Sequence, residues 1–246
     1  MKNIFIISAI AASLIGSCLW AQEGGDMRVQ SRHGSLIRVK PEYEERYIIL
    51  HKHTFPGVLE QIHLVNIRNY SIFLNDGMLF SYFEYIGDDF KADMERIADE
   101  TTKEWWKLTD PMQEPLPTRK EGEWWAEMEA LFCLDKKGKP SEGARRFALV
   151  AELDPEHKEA FEKLCGNFSA DVKALTYKHH FQNCTLYYKD GKVYYYYEYT
   201  GEDVRSDMGA LNQNPAFTNF QAELNQCLVD KAGNLWQIMQ EVFHTD

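Results

Sequence analysis

Tyr47 and His51, in the run YIILHKH, stand four positions apart. On a helix that spacing puts both side chains on one face, so a phenol and an imidazole can reach one pocket. An imidazole with an ordinary pKa of about 6.5 gives and takes protons near neutrality. The same spacing also arises on amphipathic helices that merely pack a tyrosine beside a partly exposed histidine. His53 and His63 lie nearby without such a partner. Further on, DETTKEWWKL sets Trp105 and Trp106 side by side in an otherwise charged run. Successive helical residues point about 100° apart, so the alternative to two indoles in one pocket is one indole there and one in the core.

The elements that must carry these residues occur twice. Pro41 matches Pro155, Asn69 matches Asn183, Asp76 matches Asp190, Glu84 matches Glu198 and Met94 matches Met208, all at one offset. Near the end of each copy WWAEMEALF matches LWQIMQEVF at an offset three shorter, which leaves three extra residues in the loop EPLPTRKEGE of the first copy. A repeat of this length means two tandem domains. Each copy opens with a strand, SLIRVK or FALVAEL, and a helix begun by Pro41 or Pro155. A hairpin follows, turning at Asn75-Asp76-Gly77 or Lys189-Asp190-Gly191, since Asp-Gly favours tight two-residue turns. With the remaining helices and a final strand the order is β-α-β-β-α-β, an α+β ferredoxin-like layer. The sheet has a second face to cover, and two copies can supply it for each other as an intramolecular pseudo-dimer.

One sequence thus holds its own control. At the candidate positions the second copy reads Phe161 for Tyr47, Cys165 for His51, Cys184 for Tyr70, Asn219 for Trp105 and Phe220 for Trp106. Trp125, Met128 and Phe132 keep their types in Trp236, Met239 and Phe243, and read as core. Drift at exposed sites accounts for any single replacement more easily than for all five together.

YIILHKHTFPGVLEQI, NIRNYSIFL and EWWKLTDPM, three motifs in order, resemble the L-rhamnose mutarotases over about Ser35 to Asp135. The resemblance implies a ferredoxin-like fold of the dimeric α/β-barrel type. It also implies His51 as the acid/base residue, with Tyr47, Tyr70, Trp105 and Trp106 binding a free sugar, L-rhamnose or a related 6-deoxy sugar. That chemistry, α/β anomer exchange by ring opening and closure, calls for no metal or organic cofactor. The second copy departs at each of those positions and is expected to be non-catalytic.

The net charge of -11, without a cluster of Lys and Arg, argues against a nucleic-acid partner. The first 22 residues read as a secretory signal, with Lys2 before an apolar run. That run is too short to span a bilayer. LIGSC makes Cys18 a candidate lipidation site, and LWA before Gln22 is the rival cleavage site. An exported chain, periplasmic or held at a membrane surface by lipid, is therefore expected. The domains expected after it are 31–135, a linker 136–144, and 145–246, with further dimerisation left open. Four cysteines remain, and in an oxidising compartment a Cys165–Cys184 bridge across the vestigial site stands against two buried thiols. The rival readings are a sugar-binding protein without turnover and an oxygenase or haem protein on the same fold.

Overall fold

The computed structural model describes residues 29–136, 143–231 and 233–246. The leader, Cys18 and most of the 136–144 linker lie outside the described residues. Two compact units emerge: one holds residues up to Met128 together with Gln240–Asp246, the other Glu129–Met239. Their boundaries cut across the repeats, because the last strand of each repeat is counted with the unit built by the other.

The first unit contains β1 (Ser31–Val39), α1 (Glu44–Lys52), α2 (Pro56–Leu64), β2 (Ile67–Asn75), β3 (Met78–Tyr85), α3 (Phe90–Arg96), α4 (Glu100–Thr109) and the short β4 (Gln113–Glu114) and β5 (Ala126–Glu127). The second contains β6 (Glu129–Leu134), β7 (Arg145–Glu152), α5 (Lys158–Gly166), α6 (Ala170–Lys178), β8 (Phe181–Lys189), β9 (Lys192–Tyr199), α7 (Val204–Leu211) and α8 (Pro215–Gln226). The strand β10 (Gln237–Thr245) is divided between them: Gln237–Met239 pair with β7, and Gln240–Thr245 pair with β2.

Pro41 sits in a short 3-10 turn that leads into α1. The helical layer breaks at Phe55, held extended at ψ 130 before Pro56. A residue preceding proline is pushed out of the α region by the ring, so one expected helix becomes α1 and α2. Both hairpin turns have two left-handed residues, Asp76 and Gly77 (φ 48 and 70) and Asp190 and Gly191 (φ 50 and 77). That is the turn whose twist matches the paired strands. In the first unit β1 pairs β3, β3 pairs β2, β2 pairs the end of β10, and β4 and β5 add to β1, all antiparallel. The helices cover the face that carries Ile37, Val39, Ile72 and Leu79, and Val58, Ile62 and Met94 fill the layer between.

Asn69 interrupts β2 at φ 49, where the register with β3 slips. Its amide Nδ2 donates to Glu84 Oε1 at 3.0 Å, and the Tyr82 hydroxyl donates to the same oxygen. Asn183, Glu198 and Tyr196 repeat the arrangement in the second unit. The bulge has a direct consequence for the site. Strand side chains alternate with period two, yet Ile67 and Tyr70, three apart, both face the same cavity as Ile72. The extra residue restores the parity.

Candidate active site

A cavity of about 290 Å³ opens between sheet and helices of the first unit. All five residues singled out in the sequence line it: Tyr47, His51, Tyr70, Trp105 and Trp106. His53 and His63 are exposed and do not. Both indoles reach the cavity, Trp105 buried and Trp106 half-buried.

His51 is walled by aromatic rings. Tyr47 stacks on it at 3.9 Å between centroids, and the rings of Trp105 and Phe243 meet it edge-on at 5.2 and 5.9 Å. Its Nδ1 lies 3.0 Å from the Tyr47 carbonyl oxygen, one helical turn back. A carbonyl only accepts, so Nδ1 carries the proton and Nε2 keeps the lone pair. Burial lowers the imidazole pKa to about 4, with the Tyr47 carbonyl pulling the other way. The ring is therefore a neutral base at neutral pH.

The tyrosine hydroxyls have the complementary polarity. Trp124 Nε1–H donates to Gln113 Oε1 at 2.8 Å, which fixes the amide orientation, and Gln113 Nε2 then donates to the Tyr47 hydroxyl at 3.4 Å. Tyr47 accepts there and its own O–H remains to donate elsewhere. Burial, with Tyr70 close by, raises the Tyr47 pKa well above 10, and burial raises that of Tyr70. Both stay phenols. Thr102, buried on α4, adds a hydroxyl with no hydrogen-bond partner among the described residues.

Other lining residues were not among the sequence candidates. His33 lies between the rings of Phe83 and Phe90 at 4.8 and 4.4 Å, its Nε2 bonded to the Ser31 hydroxyl. Ser35 and Ser81 join hydroxyl to hydroxyl at 2.7 Å on adjacent strands. The second repeat has Phe147, Leu149 and Tyr195 at the places of His33, Ser35 and Ser81. The small side chains make the room, and the repeat comparison that exposed His51 also marks them. Asp110, Gln113 and Trp124 differ from Leu224, Cys227 and Leu235 in the same way. Phe243 and Trp125 belong to the core cluster or pack against it, as expected, and each also lines the cavity although each is matched in type by its repeat partner.

At the corresponding places of the second unit Phe161, Cys165 and Cys184 are buried, and Asn219 is exposed. In place of the Cys165–Cys184 bridge the structure has free thiols. The two fall in separate hydrophobic clusters, Cys165 with Cys227 and Leu153, Cys184 with Tyr197 and Leu211. Burial pushes both thiols up to about 12, which suits inert apolar packing. Among the described residues no group of three or more His, Cys, Asp or Glu is placed to hold a metal ion.

The fold and cavity define a class: an antiparallel ferredoxin-like sheet whose helices enclose a neutral histidine among tyrosine and tryptophan rings. Solved structures share the fold. The chain is similar to a putative monooxygenase of Fusobacterium nucleatum (TM-score 0.54, 14% identity, 87% of this chain and 92% of that one). It is equally similar to one of Lactobacillus acidophilus (TM-score 0.54, 8% identity, 87% and 95%). In sequence it is 33% identical over 100 residues to a UPF0734 protein of Dictyostelium discoideum, covering 38% of this chain and 80% of that protein. The model of the L-rhamnose mutarotase family matches residues 32–134 and again 146–245. The chain belongs to the L-rhamnose mutarotase family, as a tandem of two such domains.

Proposed function

We propose that the first repeat interconverts the α and β anomers of L-rhamnose or a related 6-deoxy sugar, and that the second is a non-catalytic copy. The observation that carries this reading is the polarity of the Tyr47–His51 pair, a hydrogen-bond donor and a bare imidazole base in one cavity. Ring opening removes the anomeric O1 proton and places a proton on ring oxygen O5 as the C1–O5 bond breaks. His51 Nε2 takes the O1 proton, and the Tyr47 and Tyr70 hydroxyls hold the sugar oxygens. A positioned proton-transfer group contributes about 10²- to 10⁴-fold. Mutarotation already proceeds in water, so that gain suffices.

The indoles of Trp105 and Trp106 offer flat apolar faces to the C–H side of a pyranose. They favour a methyl over a polar CH₂OH, by about 1 to 3 kcal/mol. The cavity volume lies just below the roughly 300–1,000 Å³ of ligand pockets, which suits a monosaccharide rather than an oligosaccharide. Export, with or without a lipid at Cys18, is part of the proposal, supported by the character of residues 1–22. The mass of the mature N-terminus tests it.

The test of the activity is NMR saturation transfer between L-rhamnose anomers with catalytic amounts of protein. The parent is expected to speed exchange and His51→Ala to lose it while still binding sugar. A parent that binds sugar without exchange would leave a carbohydrate-binding protein instead.

A further inference from the structure

His51 accounts for one proton of the reaction, and ring opening moves two. Three carboxyl groups line the same cavity: Asp110, Glu123 and Glu127. Glu123 accepts backbone N–H groups from Lys120 and Glu127, and Glu127 pairs with the Lys120 ammonium at 2.9 Å. These two are occupied in holding the loop before β5. Asp110 has no hydrogen-bond or ion-pair partner for its carboxyl among the described residues.

Its position is set by α4. Asp110 is the C-terminal cap of that helix, its backbone N–H donating to the Trp106 carbonyl. Residues four apart share a helix face, so Asp110 stands one turn beyond Trp106, as Thr109 stands beyond Trp105. The neighbouring cations are directed elsewhere: Lys40 to the Pro111 carbonyl at 2.7 Å and Lys107 to Glu104. The second repeat has Leu224 at this place, so the carboxyl is absent together with the imidazole.

Resting on the anomer-exchange reading, we propose that Asp110 is the second catalytic residue, the acid that protonates ring oxygen O5 while His51 takes the O1 proton. As the C1–O5 bond breaks, its electron pair goes to O5, which takes the proton of the Asp110 carboxyl. The O1–H bonding pair forms the C1=O1 double bond as His51 Nε2 binds that proton. After rotation about C1–C2, reclosure runs backwards: O5 attacks C1, the O5 proton returns to Asp110, and the imidazolium returns its proton to O1. No proton is gained or lost.

The environments agree with these roles. Burial raises the Asp110 carboxyl to about 6, above His51 at about 4, so between those values a protonated acid and a neutral base line the one cavity. The other ionisable groups facing the cavity do not compete: Tyr47 and Tyr70 stay phenols, and burial lowers His33 to about 4 despite nearby Glu127.

The test is the pH profile of kcat/KM for anomer exchange, with buffer background subtracted, in the parent, Asp110→Asn and Asp110→Glu, with sugar affinity measured in parallel. The parent should lose rate above a pKa near 6. Asp110→Asn should fall by about 10²-fold or more and lose that alkaline limb, with affinity changed only a few-fold. Asp110→Glu should restore the limb. A merely structural Asp110 would lower the rate without removing the limb, and that result, or an Asn variant within about threefold of the parent, overturns the assignment alone. No exchange by the parent overturns the anomer-exchange reading and this assignment with it.

Discussion

At the scale of single residues, His51 shows how a short sequence motif acquires a chemical state. Ring contacts with Tyr47, Trp105 and Phe243 strip water from the imidazole, and the Tyr47 carbonyl fixes its proton on Nδ1. A base kept neutral by burial destabilises the fold in acid. An unfolded His51 binds a proton below about 6.5 and the folded one only below about 4, so stability is whole above 6.5 and drains away as pH falls to 4. The shift corresponds to about 3 kcal/mol. Urea denaturation of the parent and His51→Gln across that window should show the variant losing less stability by about this amount. Equal losses in both would mean that the imidazole is not desolvated. Burial lowers His33 to about 4 as well, so it acts in the same direction.

At the scale of elements, the bulge in β2 is the device that aims Tyr70. Asn69 tolerates a left-handed backbone and its amide pins the bulge to Glu84. Alanine tolerates that backbone poorly and offers no amide. Asn69→Ala should cost about 2–3 kcal/mol in chemical denaturation and weaken sugar binding, because Tyr70 loses its aim. Asn69→Gly removes only the amide and should recover about 1 kcal/mol of the loss. If Asn69→Ala leaves both stability and affinity intact, the bulge is not what positions Tyr70. The break at Phe55, where one helix was expected, follows from Pro56 and is a matter of local sterics.

At the scale of the whole molecule, the far end of the chain completes the site in the first unit. Gln240–Thr245 pair with β2, and Phe243 presents its ring to His51 and Tyr70. Phe243→Ala should cost about 3–5 kcal/mol as a core truncation and raise the His51 pKa, since water would reach the imidazole. A chain ended at Met239 should lose anomer exchange in the NMR assay. Exchange surviving in that shortened chain would show the site complete without its last strand.

The sequence by itself determined the repeat, the α+β class, the two hairpin turns and the five aromatic and imidazole candidates, because these follow from local propensity and from comparing one copy with the other. It also held the marks of His33, Ser35, Ser81, Asp110 and Gln113, each replaced in the second repeat. Phe243 was beyond its reach: a phenylalanine stands at both repeat positions, so type gives no contrast. Only tertiary structure decided that the last strand of one repeat joins the sheet of the other unit, since strand pairing there joins residues far apart in the chain. Tertiary structure likewise decided which ring nitrogen of His51 is bare and which way the Tyr47 hydroxyl donates. Those states depend on the Tyr47 carbonyl, Gln113 and Trp124 meeting in space, and residue spacing does not specify such meetings.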